Sequence, residues 1–315
     1  MTEKTRKQIE NMKQQTIGVE VEMNNITRQN AARVAAEHFG TGRYEDTAWR
    51  NGYSAWSAWD AAGREWKFQR DVSIAGPSDE KCELVTPILR YEDLPLLQEL
   101  IRKLRKAKAK SDASRGCGVH IHIGANGHDA KTLRNLANIM ASHESLIATA
   151  LNIDRDRITR YCRTVNPEFL RRLNRAKPTT MAKLADIWYE SNGAGCNRDA
   201  HYNDSRYHML NLHATFTKGT IEFRLFQFDE PGNGRKGGLH AGQLKSYIQL
   251  CLALSQMAKD LKTASPKPQQ TENPKYAMRT WLLRLGFIGD EFETARDFLT
   301  RRLPGDAAFR TERPA

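Results

Sequence analysis

The sequence predicts a mixed α+β protein, and two observations carry that prediction. Successive side chains of a strand point to opposite faces, and three stretches alternate apolar and polar residues in this way: Ile17 to Met23, Gly116 to Gly124 and Thr220 to Phe226. Elsewhere apolar residues recur at helical spacing, most clearly over 92–110, 129–151 and 239–261. We therefore expect strands that share a sheet, with amphipathic helices between them.

The first third of the chain supplies further elements in order. Residues 1–15 are charged and predict a flexible segment or a short helix, and 29–39 predict a small helix that ends at Gly40. Residues 44–66 hold four of the six tryptophans, which favours either an aromatic mini-core under a loop or a ring-lined substrate pocket. Alternation over 66–71 and the apolar run over 83–89 predict two more strands.

The rest of the chain reads as helices, loops and one hairpin. Residues 155–177 are rich in arginine around a short helix after Pro167, and 192–204 form a polar loop. Residues 206–212 predict a turn and a strand that enters a hairpin with 220–228 through Lys218-Gly219. Prolines at 266 and 268 mark a linker, after which 276–303 predict one or two helices.

Composition bounds the class of protein. The chain has 315 residues, of which 39% are hydrophobic and 27% charged, as in ordinary soluble proteins. It has neither an apolar run long enough to span a membrane nor an apolar N-terminal stretch, so a cytoplasmic location is expected. Five cysteines without close spacing argue against a disulfide framework. Lysine and arginine exceed aspartate and glutamate by 49 − 37 = 12, which favours anionic partners, including nucleic acid.

The three alternating stretches place complementary chemistry on their polar faces. Glu20 and Glu22 share one face, His120 and His122 share another, and Glu222 stands beside Arg224. If these strands lie in one sheet, the carboxylates repel one another unless a cation sits among them. The electrostatics therefore predicts a metal site.

Five motifs in order resemble the amidoligase family of glutamine-synthetase-like carboxylate–amine ligases. They are Gly18-x-Glu20-x-Glu22, Trp66 through Asp71-x-Ser73, Glu83-Leu84-Val85-Thr86-Pro87, Cys117 to Ile123 with its two histidines, and Ile221 to Phe226. The resemblance covers about residues 16–262, so we expect a flexible segment over 1–15, a catalytic domain over 16–262 and a linker with a helical appendage over 263–315.

This resemblance implies a curved antiparallel sheet of the glutamine synthetase catalytic type, with helices packed on one face. It also implies an ATP-dependent ligase that joins a carboxylic acid to an amine through an acyl phosphate, with Mg²⁺ or alternatively Mn²⁺ as cofactor. The acid and amine could be amino acids, peptides or modified nucleobases. Residues 44–66 and the 192–206 loop are the expected specificity elements.

The resemblance also implies roles for individual residues. Arg224 would stabilise charge on the transferring phosphoryl group, His122 would contact the acid substrate, and Asp71 would orient or deprotonate the amine. Arg206 and Asn211 would contact phosphate or substrate. The implied metal ligands are Glu20, Glu22, Glu83, His120 and Glu222.

Two other functions are also compatible with the sequence. His120 and His122 could bind Zn²⁺ in a metal-dependent hydrolase, with a third ligand among His201, His208, His213 and His240. Alternatively, the excess of positive charge could serve a nucleic-acid-binding protein, and this reading is compatible with the ligase.

Overall fold

A computed structural model describes residues 1–195, 197–232, 237–268 and 270–309. In these residues the strands are β1 (Ile17–Met23), β2 (Tyr44–Asp46), β3 (Trp56–Trp59), β4 (Glu65–Gln69), β5 (Cys82–Val85), β6 (Val119–Gly124), β7 (Leu210–Asn211) and β8 (Thr220–Phe226). The helices are α1 (Glu3–Lys13), α2 (Arg28–Phe39), α3 (Ala48–Asn51), α4 (Leu94–Lys106), α5 (Ala130–Leu151), α6 (Arg155–Arg160), α7 (Pro167–Ala176), α8 (Met181–Ser191), α9 (His213–Lys218), α10 (Ala241–Asp260), α11 (Pro274–Arg284) and α12 (Glu293–Thr300).

The chain divides into two compact units that interleave in sequence. The strand-rich unit comprises Thr16–His122 and Phe226–Lys245. The helical unit comprises Met1–Gln15, Ile123–Leu225 and Ser246–Ala315. The boundary at 122 falls inside β6, and the boundary at 245 falls inside α10.

In the strand-rich unit the strands follow the order β2-β3-β4-β5-β1-β6. The pairs β1–β5, β4–β5, β3–β4 and β2–β3 are all antiparallel. One face carries apolar side chains such as Val21, Trp66, Phe68 and Leu84, all of which are buried. Because neighbouring side chains alternate in direction, the polar members of the same strands point to the opposite face.

Helices cover the sheet of this unit through small and aliphatic residues. Helix α2 contacts β2, β3, β4, β5 and α4, and its buried residues are four alanines, which allow close approach to the strands. Thr27 caps the N-terminus of α2, and Gly40 ends it with φ +72°, where glycine avoids the strain of a Cβ. The predicted helix end at Gly40 is thus confirmed.

The helical unit is built around α5. Asp129 begins this helix with a capping box to Thr132, and its buried face includes Leu133, Leu136 and Met140. Helices α7 and α12 contact α5, while α8 packs on α7 and α11 packs on α12. Within the same unit, Gln15 donates to the Leu252 carbonyl, which ties the segment after α1 to α10.

The hairpin predicted for 206–228 differs in its connection. Strands β7 and β8 pair as predicted, with Asn211 opposite Glu222. However, helix α9 joins them in place of a simple turn, because the Asn211 side chain accepts the Ala214 N–H and Gly219 in the left-handed region ends the helix. Helix α8 has no counterpart in the sequence prediction.

The structure confirms a mixed helix and strand fold with antiparallel strand pairing, whereas the glutamine synthetase type of sheet stays a prediction. None of the described helices is long and apolar enough to cross a bilayer. Cys82, Cys117, Cys162 and Cys251 are buried thiols, and Cys196 lies outside the described residues.

Candidate functional site

Strand register brings the predicted acidic residues of the strand-rich unit together. Glu22 lies opposite Glu83, and Glu83 in turn lies opposite Gln69. Glu20 lies opposite Val85, and Val85 lies opposite Lys67. Directly paired residues share one face of a sheet, so these two rows place three glutamates on the polar face.

Strand β6 adds two imidazoles to the same face. The Glu22 N–H donates to the Gly118 carbonyl at 3.1 Å, and the Gly118 N–H donates to Glu22 Oε2 at 2.5 Å, which fixes β6 beside β1. Nδ1 of His120 lies 2.9 Å from Glu20 Oε2. Nε2 of His122 lies 3.3 Å from Glu20 Oε1, so one carboxylate faces both histidines.

The close approach of β1 and β6 explains the glycine of the first motif. A Cβ built on Gly18 would lie 3.3 Å from the Cβ of His122, which is tighter than ordinary van der Waals contact. A larger residue at this position would therefore push His122 away from Glu20. Gly18 allows the two strands to present the carboxylate and the imidazole to one another.

Two groups of donor atoms in this unit are compact enough to hold a metal ion. Glu20, Glu83 and His120 each offer a ligand atom within 4.8 Å of the others, and the same holds for Glu22, Asp71 and Glu83. Glu83 is shared by both groups. The structure thus brings together the predicted ligands of this unit.

The hydrogen bonds of these acids orient them without neutralising them. Gln69 Nε2 donates to Glu83 Oε2 at 2.8 Å. The N–H and hydroxyl of Ser73 both donate to Asp71 Oδ1, at 2.7 and 2.6 Å. Amide and hydroxyl donors fix a carboxylate in place but carry no charge, so the mutual repulsion of the acids is left uncompensated.

Neighbouring charges shift the pKa values of two of these acids in opposite directions. Burial, together with the charges of Glu20, Glu22 and Asp71, holds the pKa of Glu83 well above its usual range. Burial also opposes ionisation of Glu20, but the attraction of His122 and the hydrogen bonds from both histidines outweigh it and hold the pKa of Glu20 well below its usual range. A divalent cation would favour the ionised form of both acids.

In the helical unit, the predicted residues of β7 and β8 form a second cluster. Asn211 Nδ2 donates to Glu222 Oε2 at 2.6 Å, and Arg224 Nη1 donates to Glu222 Oε1 at 2.5 Å. Glu222 and Arg224 are only 2% and 5% exposed. The Glu222 carboxylate is therefore held in a buried position by one charged and one amide donor.

Arg206 lies in the same unit, beside an aromatic ring that also faces Arg224. Both guanidinium groups lie 5.8 Å from the Tyr207 ring centroid. Arg206 also donates to the His201 carbonyl at 3.0 Å. The structure therefore joins Arg206 to Arg224 through Tyr207, and Asn211 to Arg224 through Glu222.

Sequence reasoning missed three residues of these clusters. Gln69 and Lys67 lie on the polar face of β4, and the alternation of 66–69 was the signal that placed them there. Lys67 is half-buried and adds a cation to the row that contains Glu20. Tyr207 carried no recognisable signal, because its position depends on the turn before β7.

The tryptophans of 44–66 differ in burial. Trp66 is fully buried and Trp59 is nearly so, as an aromatic mini-core requires. Trp49 is 83% exposed, and the guanidinium of Arg50 lies 5.8 Å from its ring centroid. Only the exposed part of this segment is available to a substrate.

Fold and site define an α+β protein whose sheet gathers carboxylates and imidazoles on one polar face. A sequence profile of the family described as "Putative amidoligase enzyme" matches residues 13–255. The chain belongs to this family, as the motifs predict.

Two further comparisons concern curated proteins and solved structures. No curated protein matches the chain. Among solved structures, the chain resembles a bifunctional glutathione synthetase from Pasteurella multocida with a TM-score of 0.46 and 14% sequence identity. That match covers 96% of this chain, which spans about half (49%) of the length of the synthetase.

Proposed function

We propose that the protein is an ATP-dependent ligase that joins a carboxylic acid to an amine. Membership of the amidoligase family supports a carboxylate–amine ligase in general. The single observation that carries the ATP-dependent form is the cluster of Glu20, Glu22, Glu83 and Asp71 with His120 on one face of the strand-rich unit. The proposal includes the curved sheet of the glutamine synthetase type.

The donor set fits a hard divalent cation. Mg²⁺ prefers carboxylate oxygens together with phosphate oxygens, and Mn²⁺ accepts the same ligands with an added imidazole. In the strand-rich unit, Glu20, Glu22, Glu83 and His120 would hold the ions. Glu222 is a proposed metal ligand within the helical unit. When bound, such ions neutralise phosphate charge and polarise the phosphoryl group that is transferred.

In the first step of the proposed reaction, a carboxylate oxygen of the acid attacks the γ-phosphorus of ATP. The bond to the β,γ-bridging oxygen breaks, ADP leaves with that electron pair, and an acyl phosphate forms. Arg224 would stabilise the negative charge on the transferring group, because phosphoryl transfer depends on positioning and cationic stabilisation. Arg206 and Asn211 would contact the nucleotide phosphates or the substrate.

In the second step, the amine nitrogen attacks the acyl carbon. The bond from that carbon to the phosphate oxygen breaks, inorganic phosphate leaves, and the nitrogen loses one proton. Asp71 would accept this proton, since Ser73 holds one of its oxygens and leaves the other available as a base. His122 would contact the acid substrate.

The test is ADP and phosphate release by purified protein with Mg²⁺, ATP and pooled acids and amines. We expect turnover that requires both an acid and an amine and that falls to background in Glu22→Gln. Glutamine can still accept the Gly118 N–H, so the fold should survive this change. Glu37→Gln, which removes an exposed carboxylate from α2, is the matched control and should retain full turnover. Turnover without an amine, or turnover that persists in Glu22→Gln, would overturn the proposal.

The zinc hydrolase is less well supported by the geometry. His213 uses both ring nitrogens within the helical unit, towards the Tyr189 hydroxyl at 2.7 Å and the Ala200 carbonyl at 3.1 Å. His208 directs Nδ1 to the Thr164 carbonyl. Stoichiometric zinc in the purified protein, together with ATP-independent hydrolysis, would reverse this preference.

A further inference from the structure

The positive charge of the protein is concentrated in one of its two units. The helical unit holds 30 lysines and arginines against 20 aspartates and glutamates. The strand-rich unit holds 19 against 17. Ten of the twelve excess positive charges therefore belong to the helical unit.

The densest part of this charge is the segment 155–177, with eight cations and two acids. Internal partners account for some of the cations, since Arg171 pairs with Glu168 and Arg172 pairs with Glu190. Four exposed cations have no carboxylate within 4.0 Å in the part of the chain that the structure describes: Arg155, Arg160, Arg175 and Lys177. Unlike surface ion pairs, these groups remain available to an external anion.

One end of this segment joins an aromatic surface. The Arg163 N–H donates to the Tyr207 carbonyl at 3.0 Å, and the Met209 N–H donates back to the Arg163 carbonyl at 2.7 Å. The Arg163 side chain also donates to the Tyr207 and Asp204 carbonyls. These contacts hold the end of the arginine segment against the turn before β7.

Tyrosines and arginines alternate across this turn. The Arg206 guanidinium lies 5.4 Å from the Tyr202 ring centroid and 5.8 Å from that of Tyr207. Tyr202 is 61% exposed, which is unusual for so large a ring on a polar loop. We call Arg163, Tyr202, Arg206 and Tyr207 the arginine–tyrosine surface, and the exposed Arg160 precedes Arg163 by three residues in the chain. Its acidic neighbour is the exposed Asp204, so the surface keeps a positive charge.

We propose that the arginine–tyrosine surface binds single-stranded nucleic acid. Arginines attract the phosphates, and the exposed Tyr202 ring, with the half-buried Tyr207 ring near it, offers a stacking platform that only unpaired bases can reach. An acidic protein would satisfy the arginines but would leave the exposed rings unused. Tyr207 also faces the buried guanidinium of Arg224, a residue that we assign to the ligase. The inference goes beyond the ligase reaction and does not depend on it.

The test measures binding of fluorescein-labelled 16-nucleotide dT and U strands and a 16-base-pair duplex by anisotropy, between 50 and 200 mM KCl without ATP. We expect both single strands to bind with an affinity that falls steeply with salt. Tyr202→Leu should weaken single-strand binding by about fivefold or more at unchanged salt slope, because stacking on one base contributes about 1 to 3 kcal/mol. Arg160→Glu should lower the magnitude of the slope by about one or more.

The matched control is Lys106→Glu, which makes the same charge change at an exposed position of the strand-rich unit. It should change affinity much less than Arg160→Glu. The proposal is wrong if the wild type does not bind at 50 mM KCl, if Lys106→Glu and Arg160→Glu have equal effects, or if duplex binds as tightly as single strands in both wild type and Tyr202→Leu. Complete displacement of the strand by MgATP would identify a mononucleotide site instead. Because no turnover is measured, these outcomes are independent of the ligase test.

Discussion

The two units of the molecule bury glutamates under opposite conditions. In the helical unit, Glu222 receives a charged partner from Arg224 and an amide donor from Asn211. In the strand-rich unit, Glu22 and Glu83 stand opposite one another and receive only an amide N–H and an amide side chain. A buried charge is costly unless it is paired. The first cluster therefore carries its own counter-charge, whereas in the second the repulsion would be relieved by a proton on Glu83 or by a cation.

The largest expected effect comes from removing Arg224, the counter-charge of Glu222 in the helical unit. Arg224→Ala removes the guanidinium partner of the buried Glu222 carboxylate, and breaking a buried pair from one side costs about 3 to 5 kcal/mol of unfolding free energy. Urea denaturation would measure this loss. The double variant Glu222→Gln with Arg224→Met is the control and should recover most of it, because no buried charge then remains. A loss below about 1 kcal/mol would mean that Glu222 does not depend on this pair.

Glu144, a third buried acid, predicts how the stability of the protein depends on pH. Burial in α5 raises the pKa of Glu144 to about 7, opposed only by the N–H of Val165 at 2.9 Å. The folded pKa is thus raised above the ordinary value of 4.5. Between pH 4.5 and about 7, the folded state therefore holds a proton that the unfolded state has released. Stability should fall by about 3 kcal/mol as pH rises from about 4.5 to about 7, and no further above it.

Glu144→Gln separates this titration from all others. Glutamine can accept the Val165 N–H at every pH, so the difference in unfolding free energy between variant and wild type should grow from pH 5 to pH 8. Urea denaturation at four pH values measures it. A difference that is constant with pH would show that Glu144 titrates normally.

The next expected effect comes from adding a divalent cation to the acids of the strand-rich unit. Mg²⁺ or Mn²⁺ at one hundred times its dissociation constant should stabilise the protein by about 2.7 kcal/mol. Glu83→Gln should lose this gain, because Glu83 belongs to both donor groups. Without metal, the same variant should be at least as stable as the wild type, since it removes repulsion. Glu37→Gln should keep the full metal response, and a response retained in Glu83→Gln would exclude Glu83 as a ligand.

The sequence predicted the strands of both clusters because alternation of period 2 is local. Glu20, Glu22, His120 and His122 could be placed on polar faces from their own strands alone. The strand register could not be predicted, because the pairing of Glu83 with both Glu22 and Gln69 depends on which strands become neighbours. The 44–66 segment shows the same limit, since nothing local separates the buried Trp66 from the exposed Trp49.

Helical elements were predictable in proportion to their periodicity. The long α5 begins at its predicted cap, Asp129, because capping chemistry is local. The short α9 was missed, since six residues hold too few turns to show a period, and the side chain of Asn211 that helps to begin it reads equally well as part of a strand. The roles of the site residues depend on ligands that no sequence pattern specifies, so they remain predictions.

The smallest expected effect probes how the strand-rich unit orients its acids. Gln69→Leu removes the donor to Glu83 Oε2 without changing any charge, and loss of such an outer contact weakens metal binding by about tenfold. Gln98→Leu is the matched control, because it removes an equivalent amide donor, to the Ala241 carbonyl, in the same unit. Titration of each protein with Mn²⁺ measures the affinities. If both variants bind Mn²⁺ equally well, the amide of Gln69 only satisfies a hydrogen bond; if only Gln69→Leu is impaired, the uncharged partners of the strand-rich unit serve to hold its acids ready for a cation.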